Sequence, residues 1–147
     1  MSEYIHKSHN VSVLLYHYVF PAKYRRVIFN DDLNNILVEI CDEISKRYEI
    51  NFLEIGMDLD HVHFLIQSVP SLSPSEIIKK VKSLTAREIF RLYPEVKKEL
   101  WGSNLWSEGY FVSTVGRHAN EQDIENYIRN QGKEYVKLHQ GQIKLFE

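Results

Sequence analysis

The chain is poor in the residues that brace or break a fold: of 147 residues, one is cysteine, four are proline and six are glycine. A lone Cys41 excludes an internal disulfide framework, so a reducing, cytoplasmic setting is the expectation. No apolar run approaches the roughly 20 residues needed to cross a bilayer, and no membrane partner is expected. The polar stretch Met1 to Asn10 lacks the apolar core of a secretory signal. Neither charge sign dominates, with 18 Lys and Arg against 20 Asp and Glu, a formal net charge of -2. Bulk charge therefore announces no nucleic-acid partner, and such a surface has to be a local basic patch. A composition of 44% hydrophobic and 26% charged residues is that of a globular protein, read as one domain over residues 1–147 with a real core.

Hydrophobic periodicity supplies the element order. Val11 to Phe20 alternates with apolar residues on both faces, the mark of a central strand, and Pro21 ends it. Asn30 caps a helix whose buried stripe is Leu33, Ile36, Leu37, Ile40, Ile44 and Tyr48, with Asp31 and Asp32 in its first turn. Asn51 to Leu59 and His61 to Val69 read as two strands joined tightly at Asp58 to Asp60. Ser73 or Ser75 caps a second helix running to about Leu92. Pro94 and Gly102 break the next stretch, Trp106 to Val115 forms a further strand, and Asn120 caps a last helix ending at Gly132. The order β-α-β-β-α-β-α predicts an α+β, ferredoxin-like split βαβ: an antiparallel sheet with helices on one face, plus an extra C-terminal helix.

Chemistry concentrates in Asp60-His61-Val62-His63-Phe64-Leu65-Ile66. Strand side chains alternate, so His61 and His63 face one way while Val62, Phe64 and Ile66 face the other. Two imidazoles on one face can share a divalent metal or touch one phosphate. An isolated His-x-His pair is more often structural than metal-binding, but these histidines interrupt an otherwise apolar strand, where an unbonded imidazole is costly. Tyr127 and Gln131 stand one helical turn apart and can enter one site together. Separately they carry little weight; beside the histidines they suggest phosphodiester chemistry by a tyrosine nucleophile. Lys23, Arg25 and Arg26 surround Tyr24 in a basic loop, a pattern suited to phosphate contacts and base stacking. Lys79, Lys80, Lys82, Arg87 and Arg91 lie off the apolar stripe of the second helix, as candidates for nucleic-acid backbone contacts or as a solvated face.

The His61-Val62-His63 triplet resembles the histidine-hydrophobic-histidine (HUH) motif, and nearly the whole chain is similar to the transposases of the insertion-sequence 200/605 family. The likeness runs from Val19-Phe20-Pro21-Ala22-Lys23-Tyr24-Arg25-Arg26 through Asp60-His61-Val62-His63 and the Leu105 to Gly116 segment to Tyr127-Ile128-Arg129-Asn130-Gln131. It implies a metal-dependent transposase of single-stranded DNA, working as a homodimer on strands with hairpin ends. It further implies Tyr127 as nucleophile, a 5′-phosphotyrosine intermediate, and His61, His63 and Gln131 as ligands of Mg2+ or Mn2+.

The alternatives are a non-catalytic, ferredoxin-like single-stranded nucleic-acid binder and a domesticated relative that keeps the chemistry for another purpose. A histidine-triad enzyme of small molecules wants a third histidine where Leu65 stands. The barrel-class metal hydrolases need a longer chain.

Overall fold

The computed structural model describes residues 4–102, 104–116 and 134–137. A short ribbon opens the chain, β1 (Ile5–His6) paired antiparallel with β2 (Val11–Ser12). There follow β3 (Leu14–Pro21), α1 (Asp31–Arg47), β4 (Ile50–Met57), β5 (His61–Ser68), α2 (Pro74–Leu92), the short α3 (Glu95–Glu99), β6 (Phe111–Thr114) and β7 (Glu134–Lys137). The main sheet has the order β6-β3-β5-β4-β7, all pairs antiparallel. Its first four strands and the two long helices are the expected split βαβ.

Local chemistry sets the boundaries. The Asn30 side chain accepts from Leu33 N at 2.9 Å, capping α1, and Tyr48 closes it. Ser73 and Glu76 form a reciprocal capping box at α2, with Pro74 at the first helical position, where its missing N–H costs nothing. Asp58 N donates to His61 O at 2.9 Å, closing the β4–β5 hairpin.

The helices cover one face of the sheet. Tyr16, Tyr18 and Phe20 of β3, Phe52, Ile55 and Met57 of β4, and Val62, Phe64 and Ile66 of β5 share one apolar cluster with Leu33, Leu37, Ile40 and Ile44 of α1 and Ile77, Ile78, Val81 and Ile89 of α2. Phe64 lies at its centre, with Phe20 and Phe52 edge-on at centroid distances of 5.1 and 5.3 Å.

Four details differ from the periodicity. A β-bulge between Phe52 and Glu54 skips Leu53, so Phe52 joins Ile55 and Met57 on the helix face and the simple alternation expected along this strand is broken. Val11 and Ser12 belong to the ribbon with β1, so the predicted first strand divides in two. The strand predicted from Trp106 is confined to Phe111–Thr114, because the carbonyls of Ser107, Glu108 and Gly109 turn toward Lys82 Nζ at 2.7, 3.2 and 3.2 Å. Trp106 keeps only an isolated bridge to Ala22, while its indole donates to Thr85 Oγ1 at 2.9 Å. Last, β7 adds a fifth strand beside β4 that the periodicity did not register. The predicted C-terminal helix, Asn120 to Gly132, lies outside the described residues.

Phe64→Ala should cost about 3–5 kcal/mol of stability, because β5 is paired on both edges and cannot move to collapse the void. Urea unfolding followed by circular dichroism measures it; a loss below 1 kcal/mol contradicts this packing.

Candidate active site

The face opposite the helices carries the polar residues of the central strands. Register places His63 between Val19 of β3 and Gly56 of β4, a glycine that sets no side chain beside the imidazole. His61 stands at the start of β5, opposite Pro21. The two imidazole centroids lie 5.0 Å apart at an interplanar angle of 68°. His61, His63, His17, Val19, Pro21, Arg25 and Phe111 line one cleft of about 360 Å³.

Each histidine of the pair is oriented through its Nδ1. His61 Nδ1 donates to Asp60 Oδ1 at 2.7 Å, and Arg25 Nε donates to Asp60 Oδ2 at 3.1 Å. Partial burial works against the charge on Asp60, but the hydrogen bonds from His61 and Arg25 outweigh it and hold the carboxyl below its ordinary value. His63 Nδ1 lies 2.9 Å from His17 Nε2, with the rings nearly coplanar at 8°. His17 pairs with Leu65, two positions along from His63, so it is the diagonal neighbour of His63 across the β3–β5 pair, and it is 1% exposed. Burial pushes its pKa down to about 4, so at neutral pH it is an uncharged ring able to accept a proton from His63.

The donor set fits a divalent metal. A proton on Nδ1 of each imidazole puts the lone pair on Nε2, the tautomer a metal ligand needs, and an outer acceptor of this kind commonly holds a ligating histidine. Among the described residues no cluster of three or more His, Cys, Asp or Glu forms a site, so the two histidines need a further donor from elsewhere. Such a weak, imidazole-poor set suits a hard cation that keeps water and phosphate oxygens as ligands.

Comparison with known proteins resolves the class. Residues 10–131 match the family described as "Transposase IS200 like". The chain belongs to this family. It is 31% identical over 118 residues to the ISDra2 transposase TnpA of Deinococcus radiodurans, covering 80% of this chain and 84% of that one. It is 29% identical over 119 residues to the IS200 transposase of Salmonella typhimurium, covering 81% and 77%. A crystal structure of a D. radiodurans protein assigned as a transposase superposes with a TM-score of 0.70 at 30% identity, over 87% of this chain and 98% of that one. A REP-associated tyrosine transposase bound to a REP hairpin shares the fold, with a TM-score of 0.53 at 10% identity over 87% and 68%.

On this transposase the residues singled out from the sequence divide. His61, His63 and Arg25 meet in the cleft. Tyr127 and Gln131 lie outside the described residues. Lys23 and Arg26 flank Arg25 but turn toward aromatic rings. Lys79, Lys80, Lys82, Arg87 and Arg91 sit on α2, which covers the other face of the sheet. There Lys80 rests over Tyr48, and Arg87 and Arg91 both pair with Glu88. Lys82 is partly buried among three carbonyls, and desolvation lowers its pKa despite the nearby Glu108. No helix of the described residues is long and apolar enough to cross a membrane. Sequence reasoning assigned no role to His17 or Asp60. The signal for Asp60 is adjacency to His61; for His17 only the β3–β5 register reveals it.

His17 also makes a pH prediction. Its folded pKa lies below the ordinary 6.5, so the unfolded chain binds the extra proton and stability falls as pH drops from 6.5 toward about 4, levelling below. In metal-free protein the urea midpoint should follow this course, and His17→Phe should flatten it. The same variant should weaken Mn2+ binding about tenfold by titration calorimetry, since His63 loses its outer acceptor. Unchanged affinity contradicts that orienting role.

Proposed function

We propose that this transposase cleaves and rejoins single-stranded DNA through a 5′-phosphotyrosine on Tyr127, recognising hairpins at the ends of its element. The observation that carries the reading is the histidine pair, each ring oriented through Nδ1 toward one cleft that also holds the Arg25 side chain. His61, His63 and Gln131 would hold a Mg2+ or Mn2+ ion. When bound, that ion supplies Lewis-acid polarisation of the scissile phosphate.

The residues of the chain do the rest. Arg25 offers a guanidinium at the cleft wall for a phosphate oxygen, while Asp60 fixes its approach. Asp60 and His17 keep the two imidazoles in one tautomer and orientation. Tyr127 supplies the phenol oxygen: its bond to phosphorus forms, the bond from phosphorus to the 3′ oxygen breaks, and that oxygen leaves as a 3′-hydroxyl after taking a proton. A phenol is mostly protonated at neutral pH, so its proton must leave as the new bond forms. The phosphotyrosine conserves the bond energy, and the 3′-hydroxyl of another strand reverses the step to rejoin DNA.

Two copies of the chain act as a homodimer in this reading, and the tyrosine of one can complete the histidine pair of the other.

The test incubates labelled single-stranded DNA carrying a candidate element end with Mg2+ or Mn2+ and resolves products on a denaturing gel. A covalent protein–DNA band is expected that chelator and Tyr127→Phe both abolish. Binding without any adduct across a diverse single-strand pool would favour the non-catalytic binder. Mixing the His61→Ala/His63→Ala double variant with Tyr127→Phe should restore cleavage if sites are shared between subunits; no recovery argues for self-contained sites.

A further inference from the structure

The residues around Arg25 do not line the cleft, and with Trp101 they form a cluster of their own. Tyr24 is 57% exposed and Trp101 69%, though both are large apolar rings. Their centroids lie 5.4 Å apart at 55°. Arg26 sets its guanidinium carbon 4.7 Å from the Trp101 centroid and donates from Nε to Glu99 O at 3.0 Å. Lys23 Nζ lies 5.5 Å from the Tyr24 centroid. Two π-faces and two cations thus share one surface, joined to the histidine cleft along the chain through Arg25.

Folding does not account for this cluster. Tyr24, Arg25 and Trp101 hold φ of 59°, 52° and 52°, and are the only non-glycine residues at positive φ among those described. Bulky side chains are genuine outliers there, and glycine would sit without strain. The aromatic rings also lie outside the apolar core. A strained backbone that presents exposed rings points to a ligand for those rings.

The geometry points to a stacking platform for unpaired bases: Tyr24 and Trp101 receive the bases flanking the scissile phosphate, with Arg26 and Lys23 serving the adjoining backbone. This rests on the single-stranded DNA reading above and names a nucleotide subsite for it. The route is short, since Arg25, the next residue after Tyr24, lines the cleft and bonds Asp60, which bonds His61. Base-on-aromatic stacking is tolerant of sequence, because every base offers a π-face, and the cations track the backbone. A duplex, whose bases are already stacked, has no face to offer.

The test uses the full chain and its own tryptophans. Trp106 is 4% exposed and hydrogen-bonded to Thr85, so only Trp101 emission is open to a stacked base. Adding a thymidine oligonucleotide should quench part of the emission, and Trp101→Phe should remove the quench while Trp106 continues to report an intact fold. Trp101→Ala and Tyr24→Ala should each weaken binding about tenfold. Neither should change binding of an equally long strand carrying abasic positions, whose phosphates are the same. Trp101→Phe, which keeps a π-face, should bind closer to wild type than Trp101→Ala.

Equal losses on the base-bearing and abasic strands would overturn stacking and leave a purely electrostatic patch. Intact binding without quenching would overturn the platform while the DNA reading stands. If the wild type binds no single strand at all, both readings fall.

Discussion

The structure depends on the alternation of β5 between two paired neighbours. Val62, Phe64 and Ile66 enter the apolar cluster beneath α1 and α2, which obliges His61 and His63 to emerge on the opposite face. A slip of one residue would drive both imidazoles into the core and expose Phe64, so hydrophobic burial itself enforces the orientation of the site. The hairpin bond from Asp58 N to His61 O sets this register on one side, and the continuous pairing with β3 sets it on the other. The second pairing also delivers His17 to His63. Core and site are two sides of one constraint.

Charge is distributed with the same division. The basic residues of α2 lie on the helix layer, where Glu88 faces both Arg87 and Arg91. A groove between α1 and α2 mixes Glu39, Glu43 and Glu88 with Arg47, Arg87 and Arg91, a poor match for a polyanion. The histidine side holds fewer cations, but these are concentrated in the turn after β3. The net charge of -2 therefore does not describe the local surface, whose sign changes from one face to the other.

Much of this was legible in the sequence because local signals were consistent with the fold. Asn30 and Ser73 announce helix starts by side chains that satisfy backbone N–H groups, and the period-two runs announce β3 and β5. The bulge at Leu53 was not legible, since its cause is a mismatch with β5 that only pairing creates. Glu134 to Lys137 is too short and polar a run to register as a strand; its hydrogen bonds to β4 define it. In the site, His61 and His63 are two letters apart and visible, whereas His17 lies 46 positions from His63 and meets it only through register. Trp101 escaped notice for the same reason: its significance is Tyr24 and Arg26, which a distant loop brings beside it.

The placement of β7 has one more consequence. Among the described residues the sheet ends with β6 at one edge and β7 at the other, each four residues long. A sheet edge is a row of unpaired N–H and C=O groups that invites pairing with another chain, and a short edge strand offers few of them. Without β7 the eight-residue β4 would itself be that edge. The last strand thus serves as a cover, exchanging a long exposed template for a short one.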